Sequence, residues 1–221
     1  MSKVNKTPQG DENSEATATP RETTGGLVRV QVTCTGKSPH LQNRLSEETL
    51  EGIRTKQKAA KTAPRKTPRE ECEPKVHSFQ GKPVIPMPNI VACLIEAGRY
   101  VRLDGKRQMS TASSTMLPAF VEFEGDFTAL VKRNGATVAT WEPDMRQGRN
   151  PNGGEAVCVC RPRFDEWQFD LEITIDSTQI STDKIRELFD IAGARIGLGD
   201  FRPARKGTFG RFTVTRWEVK N

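Results

Sequence analysis

The sequence is short of most of what marks a catalytic, metal-binding or exported protein. It holds two histidines, His40 and His77, which form no closely spaced ligand pair. Its five cysteines, Cys34, Cys72, Cys93, Cys158 and Cys160, are odd in number and scattered, and no C-x-x-C occurs. A structural zinc site therefore has no basis, and buried thiols in a reducing compartment are expected. Cys158 and Cys160 alternate within VCVC, which predicts a strand with both thiols on one face. No run of about eighteen apolar residues exists, so no transmembrane helix and no membrane partner is expected. The first 26 residues carry no apolar h-region, so no secretory signal is expected and the predicted location is cytoplasmic. There is no Ser/His/Asp constellation and no paired-carboxylate motif, and no cofactor is expected.

Apolar residues make up only 34% of the 221, which leaves part of the chain without a core to join. Residues 1–25 are rich in Thr, Glu, Asn, Gly and Pro and read as a disordered tail. Residues 26–221 read as one domain. The formal charge of +6 favours an anionic partner. Part of that excess is concentrated between Arg54 and Arg69, where seven Lys/Arg occur with no acid. Pro64 and Pro68 break the run, so a mobile basic insertion is expected at about residues 54–80. It reads either as a solvated loop or as an electrostatic arm for phosphates.

Periodicity supplies the elements. Residues 27–36 (LVRVQVTCTG) alternate, with Val28, Val30, Val32 and Cys34 on one face of a first strand. Ser46 caps a short helix with acids early and bases late. Ile90, Val91, Leu94, Ile95, Ala97 and Val101 fit one helical face, with Pro88 at its first turn. Residues 117–141 contain Asn134-Gly135 between alternating segments, a hairpin signal. Residues 144–155 read as a Gly/Asn/Arg loop leading into the strand AVCVCRPRF. Trp167, Phe169, Leu171, Ile173 and Ile175 share one face of the clearest strand. Ser181 or Thr182 caps the clearest helix, whose stripe is Ile185, Leu188, Phe189 and Ala192, with Gly193 fitting the C-cap. Residues 210–219 form a closing strand. The order β, α, β-rich middle, β, α, β predicts an α+β fold with a ferredoxin-like or RRM-like βαββαβ core and inserted hairpin and loops.

Between the last helix and last strand lies GLGDFRPARKGTFGRFTV, with four glycines, three arginines and a lysine. Gly197, Gly199, Gly207 and Gly210 permit positive φ and close approach, so exposed backbone N–H groups there are expected to meet phosphate oxygens. Arg202, Arg205, Lys206 and Arg211 are expected to add charge-assisted contacts. Phe201 and Phe209 either stack on bases or pack into the core. The alternative is a long connection that needs glycine only for its turns. A Walker A motif is excluded, because Lys206 precedes Gly207 and a strand follows.

Gly197-Leu198-Gly199, a basic spacer, and Gly207-Thr208-Phe209-Gly210 before a final strand resemble the glycine-rich loop of the RAMP superfamily. Its members are the RNA-holding backbone subunits and guide-processing nucleases of CRISPR systems. The chain also looks like a group of phage-encoded proteins with three shared motifs. Here these are Thr35-Gly36-Lys37-Ser38-Pro39, Ile85-Pro86-Met87-Pro88-Asn89-Ile90 with Ala92-Cys93-Leu94, and residues 197–212. The resemblance spans about residues 27–219. It implies a non-catalytic RNA-binding subunit, Cas-seven-like, that forms homo-oligomers along a guide RNA and leaves base edges free for a complementary target. It implies phosphate contacts from Gly197, Gly199, Arg202, Arg205, Lys206, Gly207 and Arg211, supported by Lys37, Arg99 and Arg161. An inserted hairpin "thumb" is implied at about residues 125–155, formed by residues 127–141 or 144–155. If phage-encoded, the protein would work in the host cell cytoplasm.

Two alternatives stay open from the sequence. One is a guide-processing endoribonuclease with His40 as general base, since the resembling nucleases often place a histidine near the first helix. A metal-dependent cut would need a placed carboxylate, for which Asp104, Asp126 and Asp200 are available. The other is a phage structural or accessory protein that binds single-stranded nucleic acid without sequence preference.

Overall fold

The computed structural model describes residues 26–56, 66–149 and 153–220. The expected N-terminal tail, and residues 57–65 of the basic insertion, lie outside the described residues. The elements run β1 (Leu27–Gly36), β2 (His40–Leu41), α1 (Glu47–Thr55), α2 (Pro68–Cys72), β3 (Ser78–Phe79), β4 (Lys82–Pro86), α3 (Met87–Ala97), α4 (Leu117–Phe120), β5 (Val121–Phe123), β6 (Phe127–Ala129), β7 (Glu142–Arg149), β8 (Ala156–Phe164), β9 (Gln168–Asp176), α5 (Thr182–Ile191) and β10 (Phe212–Lys220).

Four strands make the central sheet in the order β10-β1-β9-β5, every pair antiparallel. Counting β1, β5, β9 and β10 as first to fourth, this is fourth-first-third-second, with α3 following the first strand and α5 the third. That is the ferredoxin-like arrangement, and the α+β expectation is met. Alternation drives it. Val30, Val32, Cys34, Phe169, Leu171, Ile173 and Ile175 are buried on one face. Ile90, Cys93, Leu94 and Ala97 of α3, with Ile185, Leu188 and Phe189 of α5, cover them. Each fully buried Leu, Ile or Phe contributes about 1.5–3 kcal/mol, so these stripes largely hold the layers together.

The local signals act where the pattern put them. Ser46 accepts from the Thr49 N–H and caps α1, and Ser181 accepts from Lys184 and caps α5. Within the predicted mobile insertion, Thr67 and Glu70 form a capping box at the start of α2. Asn134-Gly135 lies in a tight turn, with the Lys132 N–H donating to Thr137 O and Val131 bridged to Val138. No helix among the described residues is long and apolar enough to cross a membrane.

Two expectations need correction. Gly193 does not cap α5. The helix runs on through a wider turn, Ala192–Ile196, and Gly197 at φ 76° ends it. Gly193 instead lets β10 in, since a Cβ there would lie 2.2 Å from the Phe212 carbonyl oxygen. The second correction is the loop at 144–155. Its first half is strand β7, paired with β8 from Glu142↔Arg163 to Arg149↔Ala156. Its local sequence carries no alternating apolar signal, because β7 is a sheet edge whose pairing comes from its partner.

That hairpin also separates the two cysteines. Cys158 and Cys160 point the same way, but only Cys160 is covered, by α2, with its Sγ 2.8 Å from that of Cys72. Beyond Cys160 the hairpin projects past the core, and Ala156, Val157 and Cys158 are exposed. We expect iodoacetamide to label Cys158 alone in the native protein, read by mass spectrometry. Labelling of Cys34, Cys72, Cys93 or Cys160 without denaturant would contradict this packing.

Candidate nucleic-acid interface

The glycine-rich loop is tied to itself and to the start of the chain. Leu198 N–H donates to Gly210 O at 2.9 Å, Phe209 N–H to Phe201 O at 3.2 Å, and Gly207 N–H to Arg202 O at 3.0 Å. Asp200 N–H reaches Leu41 O at 2.8 Å, and Gly210 N–H reaches Pro39 O at 2.7 Å. The glycines make these approaches possible. A Cβ on Gly199 would lie 2.2 Å from Leu41 O, on Gly207 1.6 Å from Phe201 O, and on Gly210 1.8 Å from Leu198 O. The expectation that the loop offers an array of open amides is therefore corrected. The amides of Leu198, Asp200, Gly207, Phe209 and Gly210 are used within the fold, because backbone packed this closely pairs its own polar groups.

Charge, rather than amides, faces outward. Arg205, Lys206, Arg211 and Lys37 are exposed. Lys37 and Arg211 sit together, the Lys37 N–H donating to Arg211 O at 2.7 Å, and an Arg211 guanidinium N–H donates to Ala194 O. Arg202 and Arg161 play a different part. Arg202 donates to Gly199 O at 3.1 Å and faces Glu96 of α3 at 3.6 Å. Arg161 of β8 pairs with Asp200 at 2.5 Å, and Asn43 donates to the same carboxylate. These two arginines bolt the loop to α3 and to the β7–β8 hairpin. Arg99 is exposed, one turn beyond Glu96. Phe209 is buried beneath Arg146 of β7, whose guanidinium lies 4.6 Å from its ring, while Phe201 stays exposed at φ 53°.

Between this loop and the N-terminal half of α3 lies a cleft of about 280 Å³, with Asn43, His77, Asn89 and Arg202 on its walls and His40 in its lining. Two of the three sequence motifs line it, and the third ties down the loop from outside the cleft. Thr35–Pro39 carries the strand end that holds Gly210 and Arg211. Pro86 and Asn89 form the α3 wall, where Met87 N–H donates to Asp126 O and no side chain among the described residues caps the helix. Gly197–Arg202 forms the opposite wall. Sequence reasoning missed Gln42, which donates to Val84 O and accepts from His77 N–H, joining β2 to β4. No periodicity marks Gln42, since β2 is two residues long.

His40 is part of this architecture, only 2% exposed. Its ring lies 5.0 Å from that of Trp167, and Nδ1 has no partner among the described residues. Burial lowers its pKa from 6.5 to about 4, with the neighbouring His77 adding to the fall. In the unfolded chain the ring binds a proton near its ordinary value, so between those two values the unfolded state holds more protons. The stability His40 contributes is present above pH 6.5 and is lost as pH falls towards 4. The shift corresponds to about 3 kcal/mol. We expect a His40→Gln variant to lose part of the acid limb of a chemical-denaturation profile. An unchanged acid limb would place the titration elsewhere.

No family model matches the chain, and no curated protein matches it. Solved structures do. A chain in the cryo-EM structure of the Type III-B Cmr-beta bound to cognate target RNA is similar, with a TM-score of 0.51 and 14% identity. The match covers 88% of this chain and 61% of that one, so this chain corresponds to about three fifths of the neighbour's length. At that identity the likeness is one of fold.

Proposed function

We propose that this protein is an RNA-binding backbone subunit, of the RAMP type, whose copies lie side by side along a guide RNA in a CRISPR-like recognition complex. The observation that carries the reading is the convergence of two distant motifs on one cleft, with the third tying down the exposed basic loop beside it, in a ferredoxin-like sheet similar to that of a chain in an RNA-bound CRISPR complex. The resemblance of its motifs to those of phage-encoded proteins is the ground for a phage setting. In this reading Arg205, Lys206, Arg211 and Lys37 hold phosphates, and Arg202, Arg161 and the glycines shape the loop that presents them. The projecting β7–β8 hairpin is the thumb. No catalysis is assigned. A buried His40 with a lowered pKa has neither the exposure nor the basicity of a general base near neutral pH.

The direct test is to express the protein with its neighbouring genomic DNA, purify it and sequence the nucleic acid it carries. A discrete small RNA on a defined oligomer is the expected result. Nucleic-acid-free protein would favour a structural role, and random fragments a sequence-neutral binder. Removing two phosphate contacts with Arg205→Ala and Lys206→Ala should lower single-stranded RNA affinity. It should also reduce the slope of log K against log salt by about 1.4. A folded variant with an unchanged slope would remove the loop from the interface.

A further inference from the structure

The face of the central sheet opposite the helices is lined by Thr33, Thr35, Gln168, Asp170 and Thr215, joined by side-chain hydrogen bonds. The rings of β9 and β10 lie on the other side, in the core. Among the described residues, bases therefore have no ring to stack on across the sheet. A pair of rings stands open elsewhere. Phe79 is 48% and Phe127 37% exposed, and their centroids lie 4.3 Å apart at 38°. Phe79 is held at the end of a tight hairpin, with Gln80 at φ 50° and Gly81 at φ 73°, the backbone a two-residue turn requires. Phe127 is the strand partner of Pro86, and Pro86 lines the cleft, as does His77, two residues before Phe79.

We infer that Phe79 and Phe127 form a stacking platform for one unpaired base of the bound strand, at the Pro86 and His77 edge of the cleft. The inference rests on the RNA-binding reading above and adds a base subsite to it. Three observations select this occupant. The apolar area is two rings wide and rimmed by exposed Ser78, Gln80, Lys82 and Asp126, whereas a protein partner covers roughly 800 Å² on each side. Lys82, the strand partner of Phe79, supplies charge complementary to a phosphate. Asp126 disfavours a phosphate over Phe127 itself and suits a base amine. Stacking on a ring is tolerant of base identity, which fits a subunit that must hold any guide sequence.

The test uses the full chain and a short single-stranded RNA carrying a fluorescent adenine analogue at successive positions. Wild-type protein should quench the analogue at some positions. Phe79→Ala and Phe127→Ala should each abolish that quenching and weaken binding roughly 5- to 100-fold. Phe79→Trp should retain both effects and Phe79→Leu should not, which separates stacking from simple burial. Unchanged melting curves would show that the exposed positions are not needed for folding. Tight RNA binding that ignores all four substitutions would overturn the inference and leave the RNA-binding reading standing. A change in oligomer size on RNA with quenching intact would assign the rings to a protein contact and also overturn it. No RNA binding by the wild type would overturn both.

Discussion

Gly210→Ala should melt well below the wild type and lose nucleic-acid binding with it. Gly210 sits at φ 71°, where a side chain costs about 1–2 kcal/mol. Its Cβ would also lie 1.8 Å from the Leu198 carbonyl oxygen, which is itself backbone and cannot swing aside. The Leu198–Gly210 pair would have to open, and with it the tie from Gly210 to Pro39. We expect a loss of about 3 kcal/mol or more, or a fall in Tm of about 6–12 °C for a chain of this size. Two companions divide the effect. Gly105 has φ 77° with nothing within 4 Å, so Gly105→Ala carries backbone strain alone, about 1 kcal/mol. Gly207 has an ordinary φ but a Cβ position 1.6 Å from Phe201 O, so Gly207→Ala carries close approach alone. Thermal melts that ranked Gly105→Ala as the most damaging would refute the loop packing described above.

The second large effect is expected at Trp167. Its indole is fully buried, donates to Ser38 O at 2.7 Å, and lies between the rings of His40, Phe169 and Phe212. It also explains the glycine of the first motif, since a Cβ on Gly36 would lie 2.2 Å from the indole nitrogen. Trp167→Ala should cost about 3–5 kcal/mol, from the cavity and from the Ser38 carbonyl left unpaired. Trp167→Phe keeps most of the ring and should cost less. Gly36→Ala should be severely destabilising alone and much less so in the Trp167→Ala background, because the clash partner is gone. Urea melts of the four proteins give the coupling directly. Additive losses would mean that Gly36 and Trp167 do not share this contact.

These two sites show where sequence reading reached and where it stopped. The strands at 27–36 and 168–176 and the helices at 87–97 and 182–191 were legible because each buries one face, and burial writes itself into the sequence with the period of the element. The caps at Ser46 and Ser181 were legible because a cap acts within four residues. From those pieces alone the α+β, ferredoxin-like order followed. The role of the loop glycines was not legible. Glycine serves open amides and tight backbone contact equally well, and the partners that decide between them, Leu41, Phe201 and the Leu198–Gly210 pair, come together only in the fold. The same holds for β7, whose pairing belongs to β8, and for Cys158 and Cys160, which share a face but not a cover. It holds most clearly for the charges. Arg202 and Arg161 look like Arg205 in the sequence, yet Glu96 and Asp200 draw them inward and leave Arg205 exposed. Periodicity and capping, acting between near neighbours, set the elements and their order. Only tertiary structure, acting between residues up to a hundred or more positions apart, decided which cations, rings and thiols face the solvent.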